Sequence, residues 1–411
     1  MKEWKVFYLF NINKMEKVIL AFSGGLDTTY CMPYLQEKGY EVITVTVNTG
    51  GFTTEQLEKI STWSKKLGSI EHIEIDAQAD LYDEFVAAII KGNYLRGGTY
   101  PACVGPERIV AAKRIAELAN QRGIKKIVHG STGAGNDQVR FDLALRAMIT
   151  NVEVIVPIRD ESLTREQEME YLKAKGIEMN MSAKDYSINV GVLGTTIGGK
   201  ETKTPLGLPP DEVYPFVKPI VDTPNEAEEL KIAFEHGMPI ALNGEEMHGL
   251  EIIKAIKSLA EKHGIGKDSH LGTTILGIKG RIVFEAGALK ILIAAHRELE
   301  KSVLTSKQIF WKDHLSNVWG DLVHEGLYFD PVVKDIEAMI NSCEKNVSGE
   351  VRIKLLKGNI IVEGSESPHS LLDSSLGIYG EENMAWNGRD AEGFCKIYGL
   401  EGLIAYKKNN L

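Results

Sequence analysis

Short apolar runs alternate with helical stretches over residues 18–175, and few folds accommodate this alternation. The apolar runs lie at residues 18–22, 42–47, 70–75, 126–129 and 152–156. The helical patterns lie at residues 27–38, 54–67, 81–90, 107–120 and 165–175. Strands separated by helices of this length predict an α/β fold built on a doubly wound parallel sheet. Ligands of such sheets bind beyond the carboxyl ends of the strands.

The pattern changes near residue 185. Glycine and threonine dominate residues 191–204, and five prolines follow before residue 220, as is typical of a boundary loop. Beyond it, strands are predicted at residues 230–234, 274–278, 351–356 and 359–362. Helices are predicted at residues 245–262, 288–302 and about 332–344. The sequence therefore predicts a second domain of the α+β class. The predicted parts are an N-terminal extension (1–15), the α/β domain (16–185), the α+β domain (186–390) and a C-terminal tail (391–411).

Composition excludes several classes of protein. The chain has 411 residues, of which 43% are hydrophobic, so it can bury a large core and is not mainly disordered. Its net charge of −10 argues against a protein that grips nucleic acid through phosphates. Four cysteines without metal-binding spacing indicate a reducing compartment, which predicts a cytoplasmic protein. No apolar run approaches the ~18 residues of a membrane helix.

A glycine-rich turn follows the first predicted strand. Its sequence is Ser-Gly-Gly-Leu-Asp-Thr-Thr at residues 23–29, between a strand and a helix. Glycines let the backbone approach an anion, and a helix N-terminus offers free N–H groups. The turn is neither a Walker A loop nor a GxGxxG fingerprint. The alternative is an ordinary strand–turn–helix in which Asp27 caps the helix.

Two motifs carry a family resemblance. The turn at residues 23–29 resembles the pyrophosphate loop of the N-type ATP pyrophosphatases, which split ATP into AMP and pyrophosphate. The run HGSTGAGNDQVRF at residues 129–141 resembles the HGxTGxGNDQVRF signature of the argininosuccinate synthase family. Further matches follow in the family's order from about residue 16 to residue 400. The resemblance therefore covers nearly the whole chain.

The resemblance implies an AMP-forming ligase that joins citrulline to L-aspartate in arginine biosynthesis. The ureido carbon of citrulline is a poor electrophile because two nitrogens share its carbonyl. ATP therefore adenylylates the ureido oxygen, and AMP leaves when the amine of aspartate attacks. This chemistry needs positioning and charge stabilisation more than a side-chain nucleophile. The resemblance further implies ATP and Mg²⁺ as cofactors, a synthetase and oligomerisation role for the second domain, and a homotetramer.

The resemblance also assigns roles residue by residue. The positions that match the nucleotide site are Ala21, Phe22, Ser23, Gly24, Gly25, Leu26, Asp27, Thr28, Thr29, Val47, Gly130, Ser131, Thr132, Gly133 and Gly135. Those that match the aspartate site are Thr132, Asn136 and Asp137, while Asn136 and Arg140 match contacts of citrulline. We expect the catalytic work to rest on Ser23, Asp27, Asp137 and Arg140. Asp27 is also the candidate Mg²⁺ ligand, because a carboxylate among phosphates makes sense only beside a divalent cation or a substrate ammonium.

The pocket for the amino-acid end of citrulline departs from the family pattern. Tyr100 and Ser187 are retained, whereas the family has serine at the positions of Gly105 and Thr196, tyrosine at Phe284 and glutamate at Gly272. That glutamate suits the α-ammonium of citrulline, and losing one partner of a buried charge pair typically costs about 2–5 kcal/mol. Two substrates therefore stay open, namely free citrulline held by shifted contacts and an Nα-acylated citrulline. A carboxylate on the acyl group could meet Lys200 or Lys203.

Two other functions compete with the ligase. One is another AMP-forming member of the superfamily, such as a tRNA-thiolating enzyme, although no catalytic cysteine pair is apparent and the net charge is negative. The other is a non-catalytic regulator that binds ATP or an adenylate. Only the altered substrate pocket supports the second alternative, and the intact motifs at residues 23–29 and 136–140 argue against it.

Overall fold

The structure is a computed structural model that describes residues 15–179, 186–381 and 383–410. Most of the predicted extension (1–15) and the predicted boundary at residue 185 lie outside the described residues. The first strand begins at Glu16, directly after the predicted extension.

The N-terminal part forms one parallel sheet of five strands. They are β1 (Glu16–Ala21), β2 (Tyr40–Asn48), β3 (Glu71–Asp76), β4 (Lys126–Val128) and β5 (Glu153–Ile155). Their order in the sheet is β3-β2-β1-β4-β5, and every neighbouring pair is parallel. The direction of winding reverses between β1 and β4, so the turns that follow these two strands meet at the switch point of the sheet, where ligands bind in such folds.

Helices alternate with these strands along the chain, and several of them cover the two faces of the sheet. They are α1 (Leu26–Glu37), α2 (Thr54–Lys66), α3 (Gln78–Leu81), α4 (Ala87–Lys91), α5 (Gly105–Arg122), α6 (Asp137–Met148), α7 (Pro157–Asp160) and α8 (Arg165–Ala174). Alternate residues of β1 enter different cores, with Val18 and Leu20 on one face and Ile19 on the other. The doubly wound sheet predicted from the sequence is thus confirmed.

The C-terminal part contains two antiparallel sheets. Its strands are β6 (Tyr186–Gly191), β7 (Gly194–Gly199), β8 (Glu228–Glu235), β9 (Met238–Leu242), β10 (Glu245–Glu246), β11 (Lys267–Thr273), β12 (Lys279–Glu285), β13 (Gly349–Leu356) and β14 (Asn359–Glu366). One sheet has the order β11-β12-β7-β6, and the other has the order β10-β9-β8-β13-β14. The helices are α9 (Gly249–Lys262), α10 (Gly287–Val303), α11 (Ser306–Glu325), α12 (Pro331–Cys343), α13 (Gly388–Ile397) and α14 (Leu400–Asn409).

Three predictions about this part were wrong. The predicted boundary loop at 191–204 contains β7, an inner strand whose residues Thr195 and Ile197 are fully buried. The predicted strand at 274–278 is the turn between β11 and β12, closed by hydrogen bonds between Thr274 and Ile278. The predicted helix at 245–262 begins only at Gly249, because residues 245–246 pair with β9.

The two parts share a core. The largest apolar cluster contains Leu81 and Phe85 from the first part and Leu230, Ile253 and Leu292 from the second, and all five are buried. Buried apolar surface is the main source of stability in proteins. The two domains are therefore stabilised together rather than separately.

A group of fully buried charges lies within this shared region. The Lys312 ammonium contacts Glu300 Oε2 at 2.8 Å and Glu344 Oε1 at 3.3 Å. His296 is 2.9 Å from Glu344 through Nε2 and 2.8 Å from the Asn93 amide oxygen through Nδ1. His296, Glu300 and Glu344 are close enough to share a metal ion, but the ammonium already lies beside both carboxylates. The cluster is a buried ion network that connects α10, α11 and the end of α12 to the first domain.

Helices α13 and α14 have no buried residues. They expose large apolar side chains that include Phe394, Ile397, Leu403 and Ile404. Within the described parts of the chain, no helix has the length and apolar character needed to cross a membrane.

Candidate functional site

The first glycine turn joins β1 to α1 in a conformation that suits an anion. Gly24 has φ +73°, which side-chain-bearing residues rarely adopt, and Gly25 is the N-cap of α1. Among the residues that the structure describes, no side chain caps this helix, so its first N–H groups are available to a ligand. The hydroxyls of Ser23 and Thr28 lie 3.3 Å apart at the mouth of the turn. These features are those of a phosphate-binding turn.

The nucleotide candidates of this segment divide into two groups. Gly24, Gly25 and the exposed Ser23 lie at the surface of the turn. Phe22, Leu26 and Thr29 are buried, and the Thr29 hydroxyl accepts a hydrogen bond from the Trp63 indole at 3.1 Å. These three can therefore contribute through the backbone, whereas their side chains belong to the core. Ala21 ends β1, and Val47 lies near the end of the adjacent β2, half-buried.

The carboxyl group of Glu168 lies beside that of Asp27, and the sequence did not predict this neighbour. Glu168 on α8 is 1% exposed, and its Oε2 atom is buried without a hydrogen-bond partner among the described residues. Burial and the neighbouring carboxyl raise the pKa of Glu168, and burial raises the pKa of Asp27 while Arg165 opposes the shift. Two carboxyls in this position favour either a shared proton or a bound cation.

The second glycine turn, residues 130–136, contacts the first. It follows β4, which pairs directly with β1. A β-carbon added at Gly130 would lie 3.1 Å from Asp27 and 3.2 Å from the backbone nitrogen of Thr28. The two turns are therefore in van der Waals contact, as the resemblance requires. Ser131, Thr132, Gly133 and Gly135 continue along the same edge, and Gln138 supports the turn by donating to the carbonyls of Gly133 and Gly135.

Asn136 connects this turn to the second domain. Its side-chain oxygen accepts a hydrogen bond from the backbone N–H of Ile275 at 3.0 Å. Ile275 belongs to the β11–β12 turn, so this hairpin reaches over the end of the parallel sheet. The candidate site is consequently built between the two domains.

Asp137 and Arg140 belong to one charge network at the start of α6. The Asp137 carboxylate accepts hydrogen bonds from Arg108 at 3.0 Å and from Arg140 at 2.7 Å. Burial opposes its charge, but the two guanidinium groups prevail and hold its pKa below the ordinary value. Asp137 is therefore an ionised carboxylate near neutral pH, able to meet an ammonium group.

Arg140 is fixed by a residue of α11. Its Nε donates to the His324 carbonyl at 2.9 Å, and its Nη2 lies 3.3 Å from His324 Nδ1. Burial, with Arg140 the next largest cause, lowers the pKa of His324 to about 3, so the imidazole is neutral and can accept from the guanidinium. Gly105 lies beside this pair, since an added β-carbon would be 3.5 Å from Arg140 Nε.

Glu107, next to Arg108, is a buried acid in the same region. It is 3% exposed, and its Oε1 atom has no hydrogen-bond partner among the described residues. Burial raises its pKa to about 8 against the opposing charge of Arg108. A β-carbon at Gly191 would collide with its carboxyl group, so the end of β6 approaches α5 closely only because residue 191 is glycine.

The remaining substrate candidates lie on one face of the four-stranded sheet. Thr196 is the direct cross-strand partner of Phe284, and the alternation of side chains places Ser187 on β6 and Gly272 on β11 on that same face. Thr196 and Phe284 are buried, whereas Ser187 is exposed. Tyr100 covers this face, with its ring 5.1 Å from that of Phe284.

His270 fills the space beside Gly272. Its ring stacks on Tyr100 with centroids 5.9 Å apart, and a β-carbon at Gly272 would lie 2.5 Å from His270 Nε2. The structure thus brings the two glycine turns, the Asp137–Arg140 pair and the sheet face to one interdomain region. Lys200 and Lys203 are exposed on the segment after β7. Sequence reasoning missed Glu168, Arg108, His270 and His324, because each acts on a residue far away in the chain.

Comparison with known proteins identifies the family. Residues 17–178 match the family described as Arginosuccinate synthase N-terminal HUP domain, and residues 186–405 match the Arginosuccinate synthase C-terminal domain. The argininosuccinate synthase of Pyrococcus furiosus is 39% identical over 391 residues, which is 95% of this chain and 94% of the relative. The chain belongs to the argininosuccinate synthase family.

Other relatives support the same assignment over the same length. The argininosuccinate synthase of Methanocaldococcus jannaschii is 36% identical over 95% of this chain and 98% of its own length. That of Trichodesmium erythraeum is 37% identical over 95% of this chain and 97% of its own length. The predicted ligase class is thereby confirmed: the chain is an enzyme of the class that forms a C–N bond with release of AMP in arginine biosynthesis.

Proposed function

We propose that this enzyme adenylylates the ureido oxygen of a citrulline-type amino acid and then joins its ureido carbon to L-aspartate. The observation that carries the proposal is the contact between the two glycine turns, with Gly130 against Asp27 and Thr28 and the Asp137–Arg140 pair directly after the second turn. This arrangement suits a nucleotide held next to an amino dicarboxylate.

The proposed reaction proceeds in two steps. The ureido oxygen attacks the α-phosphorus of ATP, a P–O bond forms, and the bond to pyrophosphate breaks. The amine of aspartate then attacks the ureido carbon, a C–N bond forms, and AMP leaves with the former ureido oxygen. The proton of the attacking amine passes to solvent or to a neighbouring base. Both steps depend on close placement of the reacting groups and on stabilised charge.

The free N–H groups at the start of α1 are suited to the phosphates of ATP, with the hydroxyls of Ser23 and Thr28 beside them. Asp27 and Glu168 supply two carboxylates at this turn, and hard oxygen ligands of this kind suit Mg²⁺. Bound Mg²⁺ would neutralise charge on the phosphates, and its own charge would keep both carboxyls ionised.

Asp137 and Arg140 are suited to the two amino-acid substrates. The ionised Asp137 can pair with the α-ammonium of aspartate, and Arg140 presents a planar cation held rigid by Asp137 and His324. Asn136 lies between them and the hairpin of the second domain. The ureido substrate would occupy the space between this pair and the sheet face that carries Thr196 and Phe284.

Assembly as a cytoplasmic homotetramer is part of the proposal. Helices α13 and α14 expose apolar side chains without burying any residue. A second copy of the chain is the partner that would cover them. Size-exclusion chromatography with light scattering should give a mass about four times 45.5 kDa.

The test is release of AMP and pyrophosphate by the purified enzyme with ATP, Mg²⁺, citrulline and aspartate. Release should require both the ureido substrate and Mg²⁺, and formation of the joined product should require aspartate. Asp27→Asn should lower kcat/KM by about 100-fold or more, since it removes a carboxylate that would hold Mg²⁺ beside the phosphates. The matched control Asp83→Asn, at an exposed site, should retain activity. Release driven by tRNA, or no release with any ureido substrate, would contradict the proposal.

A further inference from the structure

The region proposed for the amino-acid end of the ureido substrate contains His270 beside Gly272. The sequence resemblance implies glutamate at the position of Gly272, and here the His270 ring occupies the adjacent space. His270 Nε2 would lie 2.5 Å from a β-carbon at residue 272, so no longer side chain fits there while the imidazole remains. Where the resemblance implies a carboxylate that would bind an ammonium group, this chain therefore has an imidazole ring.

Two side-chain nitrogen atoms around Gly272 lack hydrogen-bond partners among the described residues. His270 Nε2 and Arg96 Nη1 are buried and have no hydrogen-bond partner among the described residues. The loop at residues 96–100 holds them near each other, because Tyr100 stacks on the imidazole and a β-carbon at Gly97 would lie 2.8 Å from His270 Cε1. Buried polar groups normally have a partner, so these nitrogens suit a ligand that brings an acceptor.

The surrounding charges favour an anion. The charge of Arg96 lowers the pKa of both His270 and His324, in addition to the effect of burial. Of the nearby acids, Asp268 is paired with Lys290 at 2.5 Å. Asp321 is half exposed and lies 3.8 Å from Arg96 Nε. Neither of these two carboxylates is both buried and free to meet an α-ammonium beside His270.

We infer that Arg96 and His270, with Tyr100 beneath them, form a carboxylate-binding subsite for the amino-acid end of the ureido substrate. This inference rests on the proposed function. The carboxylate has two chemical sources, namely the α-carboxylate of citrulline and the terminal carboxylate of a dicarboxylic acyl group on its α-nitrogen. An acylated α-nitrogen carries no positive charge, and the enzyme then needs no acid at residue 272.

The experiment compares citrulline, Nα-acetylcitrulline and Nα-succinylcitrulline as substrates of the full-length enzyme. His270→Leu removes both ring nitrogens at similar volume, and His270→Gln keeps a donor near Nε2. His314→Leu, on the exposed side of α11, is the matched control. Arg96→Gln tests the second nitrogen donor independently, in case the His270 variants fold poorly.

His270→Leu and Arg96→Gln should each raise KM for the preferred ureido substrate by about 10- to 100-fold, as expected for a lost hydrogen bond to a charged group. His270→Gln should recover much of the loss, and KM for ATP should not change. A loss confined to the succinyl substrate assigns the subsite to a terminal carboxylate. An equal loss for all three substrates assigns it to the α-carboxylate.

Unchanged KM values in both folded variants would overturn the inference while leaving the proposed function intact. Absence of AMP from the wild-type enzyme with every substrate would instead contradict the proposed function. Calorimetric binding of the same three compounds then tests the subsite without turnover. Equal binding by wild type, His270→Leu and Arg96→Gln would refute it.

Discussion

Glu107→Gln should make the enzyme less sensitive to alkaline pH. Glu107 is 3% exposed, and burial raises its pKa from 4.5 to about 8. Between these two values the folded chain keeps a proton that the unfolded chain has released. The stability contributed by the protonated acid is therefore complete below pH 4.5 and is lost as the pH rises through 8.

The magnitude follows from the size of the shift. A difference of about 3.5 pKa units at 1.36 kcal/mol each corresponds to roughly 5 kcal/mol at pH 8.5. Glutamine imitates the protonated acid and does not titrate. The free energy of unfolding of the variant should therefore rise, relative to that of the wild type, by an amount of this order as the pH rises from 5 to 8.5. For a chain of this length, unfolding entropy is roughly 0.9 kcal/mol per kelvin, so the Tm difference should grow by about 5 °C.

Thermal unfolding of both proteins at pH 5, 6, 7, 8 and 8.5 tests this prediction. The control Glu170→Gln changes an exposed carboxylate, and its Tm difference from wild type should stay constant over the range. If the difference between Glu107→Gln and wild type is also constant, the Glu107 carboxyl is not held neutral by burial and the reasoning fails.

Three further perturbations test the contacts that surround the site. Gly191→Ala should lower the Tm, because its β-carbon collides with the Glu107 carboxyl, and adding Glu107→Ala should restore it, as a double-mutant cycle would show. Lys312→Met should cost about 3–5 kcal/mol, measured by urea unfolding, because it leaves two buried glutamates short of their cation. His324→Leu should raise KM for the ureido substrate about 10-fold with KM for ATP unchanged, because it removes the imidazole contact of Arg140; an equal rise for ATP would contradict this role.

The N-terminal fold could be predicted because its signals are local. Each strand of the parallel sheet is a short apolar run next to its own helix, and β1 shows both buried faces within six residues. The glycine turns follow these strands in the sequence. Once β1 and β4 are neighbours, the turns must meet, so the phosphate site follows from the order of the strands.

The errors in the second domain have a common physical cause. The sequence of β7 predicts a loop because it is rich in glycine and threonine, which do not indicate a buried strand. Tertiary packing nevertheless buries Thr195 completely and Thr196 almost completely. Helix α11 was not predicted because large apolar side chains of this helix face solvent while a lysine is buried. Phe310 and Trp311 are more than half exposed, whereas Lys312 is fully buried by its ion network.

The candidate site shows the same division between local and distant information. Its nucleotide half lies in two sequence motifs of one domain, and both motifs resemble those of the family. Its ureido half depends on contacts such as Arg140 with His324, which lie 184 residues apart. The positions at which the sequence resemblance implies a departure from the family, Gly105, Gly272 and Phe284, all lie in this second half. A ligase can keep its adenylylation chemistry while such contacts change, because the groups that recognise the far end of the substrate touch neither ATP nor the reacting atoms. We therefore expect differences in substrate within this family to arise where the second domain meets the first, and the packing of His270 against Gly272 lies in that region.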